Sequence, residues 1–415
     1  MAVIKPFSAL RPEKEKAHLV ASVPYDVVSV EEARQIADGN PLSFIRVTRA
    51  EVELGADVDH YSPEVYRKAS ENLDKLRKEA PLIVDEKPHF YLYRLVMDGR
   101  AQTGIAAVFS VDDYDNNVIL KHEKTRKVKE DDRTNHIVTT GAQTGPVFLT
   151  YKGIETVNKA VDDTVNNETP LYDFTSDDGI THTVWTLPDK YNDLIQSEIG
   201  KVKNLYIADG HHRAASASRA RAEKKNSSSL HDGSEEYNFF IAVLFPAEQL
   251  KILPYNRVVT ELNGKSKEEF LNEVSDKFEI SESTEKMPSA KKQFGMYLDG
   301  KWYMLKARDS VAASSSLSDS IAATLDASIL QDFLLLPVLG IEDIRTDKRI
   351  DFVGGIRGPE ELEKLVDSGK AVVAFSMFPV SVNDLIRISD AGEIMPPKST
   401  WFEPKLRDGL LVHLI

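Results

Sequence analysis

The sequence predicts a mixed α/β (α+β) protein, on three observations. Helical patterns dominate before residue 82, at positions 30–37 and 63–79. From Phe90 the chain turns into short apolar or alternating runs bounded by turn residues, which read as strands. Helical patterns then recur among and after those strands, so neither element type has the chain to itself.

The elements follow in order. FYLYRLV, GIAAVFSV, NVILKH, VFLTYKG, THTVWTLP and LYIAD each form a candidate strand between Phe90 and Asp209. YNFFIAVLF at 237–245 is apolar but for Asn238 and predicts a strand buried on both faces; ILPYNRVV follows closely. After Ser266 come a helix, FLNEVSDKF, and a hairpin, FGMYLDGKWYMLKA, whose Asp299-Gly300 pair suits a two-residue turn. Two serine-rich patches, 226–236 and 312–320, read as an exposed loop and as a linker or capped helix start. No internal repeat is visible. These patterns suggest three sections: a mostly helical 1–88, a β-rich core at 89–260 carrying HEKT and DGHHR, and an α/β section at 261–415.

Composition narrows the function. The 415 residues can bury a large core, and 41% hydrophobic with 28% charged residues is ordinary for a globular chain. The longest apolar stretch, around Phe333 to Ile341, is short and broken by Pro337, and the start lacks an apolar run of signal-peptide length. A cytoplasmic location and no membrane partner are expected. The absence of cysteine removes disulfides, thiolate metal sites and cysteine nucleophiles. The net charge of −14, from 52 basic and 66 acidic residues, argues against DNA as a partner, which would call for a basic face.

The chemistry concentrates at positions 204–218. The apolar run Leu205 to Ala208 predicts a buried strand ending at the turn pair Asp209-Gly210. His211, His212 and Arg213 follow, and small residues then begin a helix running to about Lys225. A strand that breaks at glycine and feeds a helix N-terminus presents backbone N–H groups and the positive end of the helix dipole. Arg213 adds a bidentate oxyanion donor, making a cradle for phosphate. The structural alternative is that Asp209 caps the helix while Arg213 pairs with it across the first turn. That alternative leaves the two histidines unexplained.

Three further pieces accompany this turn. VILKHEKT places His122 and Glu123 at another strand exit, where a glutamate can serve as general base, help hold a metal, or pair with one of the surrounding cations. Glu130 to Arg133 reads as a charged helical face, with Arg133 a candidate anion contact. MPPKSTWFEPKL at 395–406, with Arg407 after it, offers Lys398, Ser399, Thr400, Lys405 and Arg407 as oxyanion donors. Trp401 and Phe402 suit core packing or stacking on a base. Adjacent histidines on a helix point about 100° apart, and no HExxH pattern is present, so a histidine metal site is weakly supported.

DGHHR followed by small residues resembles the ParB/sulfiredoxin-like superfamily, whose members place a nucleotide phosphate on this turn. More widely, VPYDVVS at 23–29, HEKT at 122–125, LYIADGHHRAA at 205–215, LPYNRVV at 253–259 and MPPKSTWFEPKLRDGLLVHL at 395–414 resemble the domain of unknown function 1015 family. These pieces cover the chain in order and nearly end to end. The resemblance implies a ParB/sulfiredoxin-like core elaborated by N- and C-terminal sections. Sulfiredoxin chemistry is excluded, since histidines stand where those enzymes use cysteine, and the DNA-partitioning role is disfavoured by charge.

What the resemblance implies about activity is a nucleotide-dependent phosphotransferase for a small hydroxyl compound, similar to the superfamily's free-serine kinases. ATP or ADP would arrive with magnesium. Gly210, His211, His212, Arg213 and Lys398 would bind the cofactor, and Glu123, Asp209 and His212 would be catalytic. Glu123 would take the hydroxyl proton by analogy with an acidic residue upstream of the turn in those kinases. Asp209 and Glu123 would hold the metal. Two other readings use the same cradle: a non-catalytic nucleotide or phosphometabolite sensor, and a hydrolase of phosphate esters or nucleotides.

Overall fold

The computed structural model describes residues 2–55, 57–79, 82–228, 231–316 and 320–415. Parts of both serine-rich patches, 229–230 and 317–319, lie outside the described residues. The chain is mixed α/β and clusters into two compact units. The first comprises 1–121, 125–250 and 404–415; the second comprises 122–124 and 251–403. Residues 1–88 and nearly all of 89–260 therefore share a unit, and the last twelve residues return to it.

The first unit is built on a nine-stranded sheet. Its order is Ile119–Leu120, Leu205–Asp209, Val147–Tyr151, Phe239–Pro246, Arg100–Ser110, Tyr91–Met97, Thr181–Thr186 and Tyr172–Thr175, with Ile4–Lys5 added beside Arg100–Ser110. Phe239–Pro246 is central, parallel to Val147–Tyr151 and antiparallel to Arg100–Ser110, and every one of its residues is buried. That is why its sequence shows no alternation. NVILKH, by contrast, contributes only Ile119–Leu120. Asn117 turns the chain with φ 56° just before, and the pairing with Leu205 and Tyr206 spans two residues.

The same unit carries the helices of the N-terminal section and of the site. Pro63–Glu79 matches its expected span, and Val30–Gly39 begins on a capping box in which Ser29 and Glu32 satisfy each other's backbone N–H groups. Lys127–Thr140 lies beside His211–Ser227, tied by Ser216 to the Glu130 carbonyl and by Arg219 to Glu130 and Asp131. Near the end of the chain His413–Leu414 forms a short pairing with Ala142–Gln143, accompanied by bridges from Val412 to Leu10 and from Asp408 to Ser22.

The second unit holds a six-stranded antiparallel sheet in the order Phe278–Glu282, Lys301–Ala307, Gln293–Leu298, Val373–Met377, Tyr255–Val259, Ile350–Gly354. The Asp299-Gly300 hairpin forms as expected, both residues taking positive φ (52° and 73°) as a type I′ turn requires. One sheet face packs on Phe270 and Val274 of Lys267–Ser275 and on Ile329 to Leu339; the other packs on Leu362 of Gly358–Asp367. No helix among the described residues is long and apolar enough to cross a membrane.

Candidate functional site

The turn at 209–213 is a strand-to-helix junction in the first unit. Leu205–Asp209 pairs with Val147–Tyr151, and the register shifts between Ile207 and Asp209, which re-aims the strand's last side chain. Gly210 follows with φ 89°, and a Cβ there would lie 2.9 Å from Arg213 Nε. Glycine is thus required both by the backbone and by the arginine folded against it. The helix His211–Ser227 starts at once, so both histidines and Arg213 belong to its first turn instead of preceding it. Its N-cap, Gly210, has no side chain with which to cap this end.

Two cations meet on one oxygen. Arg213 Nη2 lies 3.2 Å and Lys405 Nζ 3.3 Å from Asp209 Oδ2. The pairing of Arg213 with Asp209 is the one the structural alternative expected, but Asp209 does not cap the helix and shares its charge with a second cation. Burial pushes the Asp209 carboxyl up; Lys405, Arg213 and His211 outweigh it and hold it well below the usual carboxylate range. The side chain still keeps 29% of its surface exposed. Arg213 Nη1 donates to the Pro146 carbonyl, while its Nε is buried with no hydrogen-bond partner.

A cleft adjoins the arginine, enclosing about 430 Å³ of space that is partly open to solvent. Tyr25, Arg133, His136, Gln143, Thr144, Gly145, Arg213 and Asp408 supply its polar wall; Val147, Ala217, Phe240 and Ile241 are among its apolar ones. Asp408 is 2% exposed, and its Oδ1 has no hydrogen-bond partner. Burial pushes its carboxyl up to about 7, against the pull of Arg213 and with the help of nearby Asp26. Two residues that line the cleft thus carry a buried donor and a buried acceptor that find no hydrogen-bond partner among the described residues.

The remaining residues divide by unit. Arg133 lines the cleft, bound to Asp132 at 3.0 Å and to the Thr48 carbonyl at 3.3 Å, and lies 4.2 Å from the Tyr25 ring. Asp132 is buried beside it, so the stretch 130–133 has one solvated and one buried side. His212 Nε2 accepts the Arg126 N–H at 3.1 Å, which places the proton of the neutral ring on Nδ1. Arg407 is buried, bonded to Asp178 and to His182. His122, Glu123 and Lys398 belong to the second unit. There His122 Nε2 lies 3.2 Å from Thr400 Oγ1, and Lys398 Nζ lies 5.2 Å from the Tyr255 ring.

Sequence reasoning missed Asp408, Gly145 and Tyr25. Two of these stand within the family-like segments, Tyr25 in VPYDVVS and Asp408 in MPPKSTWFEPKLRDGLLVHL. Gly145 had a local signal, the Thr144-Gly145-Pro146 break before a strand.

A mixed α/β unit with a glycine-started helix and a cationic first turn defines the class of site. The chain belongs to the family described as Protein of unknown function (DUF1015), whose model matches residues 4–328. No curated protein matches the chain. Among solved structures it is similar to a free serine kinase in complex with AMP, at 12% identity and TM-score 0.35, covering 72% of this chain and 86% of that one. It is also similar to a conserved hypothetical protein from Pyrococcus furiosus, at 13% identity and TM-score 0.36, covering 74% and 95%. A third likeness is to C-terminally truncated SbnI from Staphylococcus aureus, at 12% identity and TM-score 0.38, covering 74% and 87%.

Proposed function

We propose that the first unit is a nucleotide-dependent phosphotransferase acting on a small hydroxyl compound, with the phosphates of ATP or ADP received at the turn 209–213. The observation that carries the reading is the convergence of Arg213 and Lys405 on one oxygen of Asp209 at the start of the helix His211–Ser227, whose N-cap is a glycine. Two cations and the positive end of a helix dipole meet at this turn, and a phosphate answers both. Asp209 in this reading holds the two cations in place until the phosphate arrives.

Asp408 is the proton acceptor of the proposal. The acceptor hydroxyl attacks the terminal phosphorus, the bond to the leaving phosphate breaks, and the hydroxyl proton passes to Asp408 Oδ1. A carboxyl raised to about 7 by burial is matched to that task near neutral pH. Most of the rate would come from positioning and charge stabilisation. A nucleotide-borne magnesium ion would supply further charge neutralisation. Asp209 fits it poorly, because both cations already occupy Oδ2, so no step is routed through a metal.

The test is turnover of ATP and ADP by the full chain, with and without a panel of hydroxyl compounds. Acceptor-dependent turnover that is lost in Asp408→Asn supports the reading. Turnover indifferent to acceptor makes the protein a hydrolase, and tight binding without turnover makes it a sensor.

A further inference from the structure

The second unit contains a charge that no described carboxylate balances. Arg257 sits mid-strand in Tyr255–Val259, opposite Phe352 on one neighbour and Phe375 on the other. It is 2% exposed and shares its sheet face with the apolar core that includes Val259 and Phe375. Its Nη1 donates to the carbonyl of Tyr255 in its own strand, and its Nη2 is buried with no hydrogen-bond partner. Three other arginines sunk into this chain are matched: Arg133 with Asp132, Arg213 with Asp209, Arg407 with Asp178. Burial pulls the Arg257 guanidinium down to about 10, with only Tyr255 opposing it.

Packing alone does not account for this arginine. Its guanidinium carbon lies 5.6 Å from the Phe352 ring, and such a contact contributes on the order of 0.5–2 kcal/mol. Taking an ion out of water costs several kcal/mol after relaxation, so the ring offsets only part of it. A second cation meets the same tyrosine. Lys398 Nζ lies over the Tyr255 ring, which also meets Trp401 edge to face at 5.0 Å. Arg257 and Lys398 thus bracket one tyrosine, the first through its backbone carbonyl and the second through its ring.

We propose that Arg257 is the receiving group of an oxyanion-binding site in the second unit, with Lys398 as its second cation, fitted to the phosphate or carboxylate group of a small ligand. The proposal does not depend on the phosphotransferase reading.

The experiment is thermal melting of the full chain in rising inorganic phosphate or acetate, with chloride as the ionic-strength control. The wild type should gain roughly several degrees, saturably, in one of the two anions and not in chloride. The anion that works identifies the ligand group. Arg257→Met should lose the gain, and without anion it should melt no lower than wild type, because it removes an unpaired buried charge. Lys398→Met should keep the fold and weaken the apparent affinity about tenfold. Arg213→Gln should keep the gain, which assigns it to the second unit. A wild type indifferent to both anions, or a gain that survives Arg257→Met in the Arg213→Gln background, overturns the proposal. Should Arg257→Met not fold, a Lys398→Met protein with unaltered anion affinity overturns it as well.

Discussion

Gly145 and Asp408 share a space that only one of them can fill: a Cβ on residue 145 would lie 2.5 Å from Asp408 Oδ1. Asp408 is too deeply buried to swing its carboxylate into water. Gly145→Ala should therefore destabilise the protein by about 1–3 kcal/mol, the usual cost of overpacking. In an Asp408→Ala background most of that cost should vanish, since the opposing atoms are gone. Urea unfolding of the two single variants and the double variant gives the coupling. Strictly additive costs would show that the two residues do not press on each other.

Asp408 also predicts a pH dependence. Its carboxyl stands at about 7 in the folded protein against an ordinary 3.8, so the folded state holds the proton more tightly than the unfolded chain does. The associated stability is fully present below about pH 4 and fades as pH rises through 7. Asp408→Asn keeps the shape and cannot ionise. Its melting temperature relative to wild type should climb between pH 5 and pH 8. A difference that stays flat across that range would contradict the buried, ionisable carboxyl.

His136 acts on the acid side. Burial, aided by Arg133, lowers it from 6.5 to about 4, while its Nε2 engages the Val47 carbonyl at 2.9 Å. A depressed histidine contributes stability above pH 6.5 that is lost as pH falls through 4. At about 1.4 kcal/mol per pH unit the loss is on the order of 3 kcal/mol. Denaturant unfolding of wild type and His136→Asn at pH 7 and pH 4.5 measures it; the variant should show the shallower fall.

Arg213 and Lys405 bear on the ligand. Arg213→Lys keeps a charge but loses the fork that reaches Asp209 and the Pro146 carbonyl together. Calorimetric ADP affinity should drop about 10- to 100-fold, the range for losing a charge-assisted contact. Lys405→Met should give a comparable loss. Unchanged affinity in both variants would remove the turn from the binding site.

Local order in the second unit rests partly on Gly300. Its φ of 73° in the Asp299-Gly300 turn is strained for any residue with a Cβ. Gly300→Ala should cost about 1 kcal/mol in equilibrium unfolding. No measurable change would mean the hairpin takes up the strain elsewhere.

Much of this architecture was legible because its signals are short in range. The apolar run 237–245 announced a strand buried on both faces, and the pattern at 63–79 announced a helix that the structure reproduces. Leu205 to Asp209 followed by glycine announced the strand-to-helix turn, though the helix takes in both histidines and Arg213. The 117–122 strand was overestimated, since apolar character does not reveal how far a partner strand extends. Within the site, attention to cations in the C-terminal segment found Lys405 and passed over Asp408, whose importance comes from burial against Gly145 and not from any neighbour in sequence.

By itself the sequence determined the element types, the family and the cationic turn, because periodicity, turn chemistry and capping act over a few residues. Only the tertiary structure decided which charges meet. Lys405 reaches Asp209 across 196 residues, a pairing made when the chain's last segment returns to the first unit. It likewise decided that Asp408 would stand proton-holding in a cleft, and that Arg257 would be buried with no described carboxylate to pair with. Burial sets the cost of a charge, and burial is a property of the packed chain: the same arginine in LPYNRVV would be unremarked on a surface, where water would balance it.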